Sequence, residues 1–197
     1  MNSDRFARAI AAFDQANAAD PVREAVSGVE RPRELVQAER LSAWIERLEP
    51  LASEALRLAA RCQHLERWKI PRSSYPDGRV GYLQWRTKLA RFHADRAAEL
   101  LRGAGYDDAT IDQVRRINLK QGLRSDRDVQ TMEDALCLSF IEHEFDAFSA
   151  KHDDQKLIEI LRKTWKKMSP RGRDTALGLD VSLRLKALLE QALRDAE

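Results

Sequence analysis

Residues 81–101 read GYLQWRTKLARFHADRAAELL, and their spacing decides the fold. Tyr82, Arg86, Leu89, His93, Ala97 and Leu100 recur every three or four positions, the interval at which side chains share one face of an α-helix. No apolar–polar alternation competes with that period. The spacing predicts a helix from about Tyr82 to Arg102, stopped by Gly103 and Gly105. It also places two ionisable groups, Arg86 and His93, on the apolar side.

The same period extends in both directions. Upstream, Ser3 or Asp4 is expected to cap a helix carrying Phe6, Ile10 and Phe13, and residues 17–31 read as a connection containing Pro21 and Gly28. Pro32 opens a second helix with Leu41, Trp44, Ile45 and Leu48 inward, and Pro50 ends it. Ser53 caps a third, through Leu56, Ala60 and His64. The loop KIPRSSYPDGRVG, residues 69–81, holds two prolines and two glycines and cannot continue a regular helix. Downstream, Asp107 or Asp108 caps a short helix with Ile111, Val114 and Ile117. Ser125 or Asp126 caps one running to about Phe148, and a further helix spans Asp153 to Met168. Ser169-Pro170 has the form of an N-cap followed by a first-turn proline, and Val181 begins a last amphipathic segment with Leu185, Leu188, Leu189 and Leu193. The expected fold is all-α, a single-domain bundle of eight or nine helices over residues 1–197, with a core at about 33–150 and a helical extension at 151–197.

Composition excludes several classes of function. The 34 basic and 32 acidic residues leave a formal charge of +2, so no global field would hold nucleic acid, and any basic site must be local. No apolar run approaches the ~20 residues of a membrane span. The opening MNSDRFARAIAAFDQ is broken by charges and is not expected to be a signal peptide. Cys62 and Cys137 lie far apart in apolar helical patterns and read as reduced core thiols, which implies a cytoplasmic protein.

Four helices each aim a titratable group at their apolar side: Arg40 between Val36 and Trp44, His64 after Ala60, His93 with Arg86, and Asp134 in line with Leu138, Ile141 and Phe145. Burying such groups separately would cost several kcal/mol each, so they are expected to meet one another, a ligand or a metal. The plainer alternative is that each is a satisfied polar group at a helix end. Glu39, Glu66 and Glu133 could be solvated. Beyond His64, Arg67, Arg72 and Tyr75 with the Ser73-Ser74 pair could form an anion-binding rim, because guanidinium forks grip phosphate or carboxylate. Lys163 and Lys167 share a helix face and could add to it; the alternative is a loop tied to helix ends by arginine. Trp44, Trp68, Trp85 and Trp165 read as core, and His143 and His152 as surface.

Three segments resemble the HD-domain fold: LAARCQHLERW at 58–68, FHADRAAELLRGAGYDDATIDQVRRI at 92–117 and TMEDALCLSFIEHEF at 131–145. The resemblance implies that His64, His93 and Asp134 stand where HD enzymes hold divalent metals for phosphoester cleavage. It also implies catalytic roles for the three, with the histidines as acid/base groups or metal ligands and Asp134 orienting one of them. The sequence departs from that pattern at Leu65, where an HD enzyme carries its metal-binding aspartate. The upstream histidine is missing too, with Glu39 and Arg40 near its place. The implied cofactor is therefore one divalent metal or none. A fuller resemblance, carried by QHLERWKIPRSSYP, GYLQWRTKLARFHADRAAELL, DVQTMEDALCLSFIEHEF and KTWKKMSPRG, is to a bacterial and fungal family of unassigned activity. Some of its members carry a glutamyl-tRNA synthetase name. Residues 167–171, KMSPR, are similar to the ATP-binding loop of such enzymes, but no Rossmann strands and no His-x-Gly-His motif accompany them.

The expected function is hydrolysis of a small anionic, phosphorylated substrate, held by Arg40, Arg67, Arg72, Tyr75, Arg86, Lys163 and Lys167. The alternatives are a non-catalytic small-molecule-binding regulator, or a helical interaction protein with a degenerate metal site. No membrane or nucleic-acid partner is expected.

Overall fold

Side-chain caps set the starts of several helices. The Ser53 hydroxyl accepts from Leu56 N at 3.0 Å, Asp107 from Thr110 N at 2.8 Å, and Asp153 from Lys156 N at 2.8 Å. Asp126 accepts from the amides of Asp128 and Val129, and Ser169 from Gly172 N. Each satisfies amides that the first turn leaves without partners. The structure, a computed structural model, describes residues 3–194; a cap from the Ser3 side chain lies outside what it describes.

The protein is all-α apart from one hairpin. Two compact units divide it, Met1–Gly122 and Leu123–Glu197. The first contains α1 (Ser3–Ala18), β1 (Arg23–Val26), β2 (Val29–Pro32), α2 (Arg33–Leu48), α3 (Glu54–Cys62), α4 (Gly78–Gly103) and α5 (Asp108–Asn118). The second contains α6 (Arg127–Ser139), α7 (Phe145–Ser149), α8 (Asp154–Lys167), α9 (Pro170–Leu177) and α10 (Leu183–Arg194). A single π turn, Phe140–Glu144, joins α6 to α7. It divides the helix expected to run to about Phe148, which accounts for ten described helices against the eight or nine predicted. Phe140 packs edge-on against Phe145 and Phe148 across that wide turn.

The hairpin corrects the reading of residues 17–31 as an irregular connection. β1 and β2 are antiparallel, with Glu24 opposite Arg31 and Val26 opposite Val29. Ser27 and Gly28 both have positive φ, at 51° and 81°, the backbone of a two-residue turn whose twist matches its strands. The hairpin is tied to α2 by ion pairs from Glu24 to Arg40 at 2.7 Å and from Arg31 to Glu39 at 2.8 Å. Pro32 precedes α2 and offers no side-chain acceptor. Asp20 supplies one instead, taking Glu34 N at 3.0 Å.

In the first unit α1, α2, α3 and α5 surround Phe13, Leu41, Trp44, Ile45, Leu58 and Ile111, all buried. The buried strip at the start of α4 runs through Gly81, Trp85 and Leu89, one position from the predicted Tyr82–Arg86 stripe, so Tyr82 and Arg86 are exposed. The loop before it explains the shift. Trp85 Nε1 donates to the Ile70 carbonyl at 2.9 Å, and a Cβ on Gly81 would lie 2.0 Å from the Pro76 carbonyl oxygen. In the second unit α8 packs on α10 and α9 on α6.

Candidate functional site

The site begins where α3 ends. His64 does not continue that helix as predicted; the chain turns after Cys62, and Glu66 adopts a left-handed backbone, φ 50° and ψ 36°. A non-glycine residue there costs about 1–3 kcal/mol and persists only when its surroundings hold it. Three groups do so. Asn17 Oδ1 accepts from Glu66 N at 3.0 Å, while the Glu66 carboxylate receives Lys69 Nζ at 2.7 Å and Arg96 Nε at 3.0 Å. Glu66 is thus buried and ion-paired, not solvated.

The turn presents the Leu65 carbonyl to His93, whose Nδ1 donates to it at 2.7 Å. A carbonyl only accepts, so Nδ1 carries the proton and Nε2 carries a lone pair. That Nε2 is buried and has no hydrogen-bond partner, in a residue that is 3% exposed. The half-buried His64 ring stands 5.8 Å from the His93 ring, tilted by 59°.

Both imidazoles are held neutral. Burial first, then the charges of Arg67 and Arg86, push His93 down to about 4, against the raising effect of its bond to Leu65. For His64, burial again leads, followed by Arg67, His93, Arg86 and Lys120, and the result lies well below 6.5. Three cations therefore act on a neutral imidazole pair. Arg67 lies over the Trp85 ring and 4.0 Å from Glu34, whereas Arg86 is exposed with no carboxylate partner among the described residues. Lys120 has a positive φ of 56° in the turn after α5.

The remaining residues singled out from the sequence have other surroundings. Arg72 donates to the carbonyls of Tyr75 and Pro76, both at 2.9 Å, and so ties its own loop together. Arg40 is paired with Glu24 in the hairpin. Asp134 belongs to the second unit, where it accepts from Ser169 N at 2.8 Å, from the Ser169 hydroxyl, and from Gln130 Nε2 at 3.1 Å. Lys163 and Lys167 are exposed in that unit beside Glu159 and Glu133, at 3.7 and 3.9 Å. Sequence reasoning missed Asn17, Arg96 and Lys120. Their spacing carries no signal, because each acts through a turn that no helical period describes.

A metal does not fit this donor set. The pair offers two imidazoles, the nearby Glu66 is engaged by two cations, and Arg67, Arg86 and Lys120 would repel a divalent ion. Among the described residues no group of three or more His, Cys, Asp or Glu side chains is gathered to hold one.

The first unit is thus a helical scaffold around a neutral histidine pair under local positive charge. A family model described as Domain of unknown function (DUF4202) matches residues 7–189, and the chain belongs to that family. No curated protein and no solved structure matches it. Among the described residues no helix is long and apolar enough to cross a membrane.

Proposed function

We propose that His64, His93, Arg67, Arg86 and Lys120 form an anion-binding acid–base site, and that the protein hydrolyses a small phosphorylated substrate. The observation that carries this reading is the buried, unprotonated and unpartnered Nε2 of His93. A buried acceptor left without a donor costs about 1–3 kcal/mol, and a ligand or water bearing a proton relieves that cost.

The cations that weaken the imidazole in the free protein are the groups an anion neutralises. Phosphate bound by Arg86 and Arg67 would remove their repulsion and raise the proton affinity of the neutral histidines, so the base strengthens when substrate arrives. Water would then add to phosphorus as the ester P–O bond breaks. The water proton would pass through Nε2 to the leaving oxygen, giving alcohol and inorganic phosphate. No step needs a metal held by these residues. The buried, unbridged thiols Cys62 and Cys137 support the cytoplasmic location that belongs to this reading.

A second reading, a regulator that binds the anion without turnover, is favoured by the commitment of Glu66 to Lys69 and Arg96, which leaves it unfit for proton transfer. Calorimetry with inorganic phosphate, paired with turnover of a chromogenic phosphomonoester, separates the two. Arg86→Ala is expected to weaken phosphate about tenfold, the loss of one charged hydrogen bond. His93→Gln is expected to keep phosphate binding and abolish turnover. Unchanged phosphate affinity in Arg86→Ala would refute the site, and binding without turnover in the unaltered protein would assign it to the regulator.

A further inference from the structure

The face of α4 that leads to His93 changes character along its length. Tyr82, Arg86, Leu89 and His93 follow at four-, three- and four-residue steps on one side of the helix. Exposure falls along that line, from Tyr82 at 46% and an exposed Arg86 to Leu89 and His93, both buried. At ~1.5 Å rise per residue, Arg86 lies about 10 Å along the axis from His93 and Tyr82 about 16 Å.

Tyr82 is not alone at the outer end. Leu83 is 51% exposed and Val80 71%, so three large apolar side chains face solvent within four positions. Tyr82 and Leu83 stand four and three residues before Arg86, and Val80 three before Leu83, the spacings at which helix side chains are neighbours, so these exposed apolar groups border the arginine. The charges along this stretch of α4 are all basic. No aspartate or glutamate occurs from Gly78 to Ala94, and Arg79, Lys88 and Arg91 are exposed with no carboxylate partner among the described residues.

We infer that the ligand is an amphiphilic phosphate ester, its phosphate at Arg86 and the histidine pair and its apolar body laid over Tyr82, Leu83 and Val80. This rests on the anion-binding reading above and adds the nature of the group that the phosphate carries. The Tyr82 ring, 5.9 Å from the buried Trp85 ring, gives that body a braced surface. Inorganic phosphate or a polyol phosphate would satisfy the cations and leave the apolar group in water.

The test is a set of dissociation constants for inorganic phosphate, glycerol 3-phosphate and phenyl phosphate, measured on the full chain and on Tyr82→Ser and Leu83→Ser. These residues are exposed, and circular dichroism verifies that the helices persist. Phenyl phosphate is expected to bind about tenfold more tightly than the other two, as covering roughly 55 Å² of apolar surface provides. Each variant should lose most of that preference and keep its affinity for inorganic phosphate. Equal affinity for all three probes would overturn the inference and leave the anion site standing. Failure of every probe to bind would overturn both. Altered sedimentation of Leu83→Ser with unaltered affinities would assign the patch to a second copy of the chain, and would also overturn it.

Discussion

Acidification from pH 7 to pH 4 is expected to remove about 3 kcal/mol of folding stability through His93 alone. The unfolded imidazole takes a proton near pH 6.5, whereas the folded one, at about 4, does not. The unfolded state therefore binds more protons in the window between them. Stability is complete above about 6.5, declines as pH falls, and stops declining through this group below about 4. His64, held well below 6.5 by burial and the charges of Arg67, Arg86 and Lys120, adds to the loss in the same direction. With both histidines titrating, the slope should exceed the ~1.4 kcal/mol per pH unit that one proton gives. Urea unfolding at pH 7, 6, 5 and 4 reads it directly. In His93→Gln the profile should flatten by about one proton, and parallel profiles would show that His93 is not held neutral by the fold.

The second large effect concerns Asp134. Its carboxylate accepts from Ser169 N, the Ser169 hydroxyl and Gln130, and it fills the space in front of Gly172, where a Cβ would lie 2.6 Å from its Cγ. Asp134→Ala strips the acceptor from three half-buried donors and is expected to cost about 2 kcal/mol. Asp134→Asn keeps the shape and one acceptor for Ser169 N, and its amide can donate to the Ser169 hydroxyl, so about 1 kcal/mol is expected. Gly172→Ala should destabilise on its own by about 1–3 kcal/mol through overpacking. In the Asp134→Ala background the obstruction is gone and the glycine substitution should cost little. The double variant is thus expected to be more stable than the sum of the singles, a coupling that chemical denaturation measures. Strict additivity would mean that Asp134 and the start of α9 do not hold each other.

Much of this was legible in the residues. The caps at Ser53 and Ser169 were readable, and those at Asp107 and Asp126 to within one residue, because each is a short polar side chain directly before an apolar-periodic run. The inward faces of His93 and Asp134 followed from period alone. What period could not reach was set by turns. The α4 stripe was displaced by one residue, since Trp85 is anchored by the Ile70 carbonyl and Gly81 by the closeness of Pro76, both contacts with a loop. The hairpin escaped notice although Ser27-Gly28 between short valine-bearing segments is a turn signal, because strands of four residues are too brief for alternation to register. At the site, period aimed Arg40, His64, His93 and Asp134 inward and led to the expectation that they meet; the two histidine rings stand 5.8 Å apart, while Arg40 is paired with Glu24 and Asp134 with Ser169. The device that fixes the tautomer of His93, a left-handed Glu66 held by Asn17 and Arg96, depends on contacts 30 to 49 residues apart in sequence.

The chemical state of His93 is the point on which anion binding, base strength and acid sensitivity all turn. Nitrogen-15 correlation spectra of the imidazoles, recorded from pH 8 to pH 3.5 with and without inorganic phosphate, report it directly. The expected spectrum has a protonated Nδ1 and a bare Nε2 on His93, a midpoint near 4 in the free protein, and a rise of that midpoint when phosphate is added. A proton on Nε2 at neutral pH, or a midpoint near 6.5 that phosphate leaves unmoved, would contradict it.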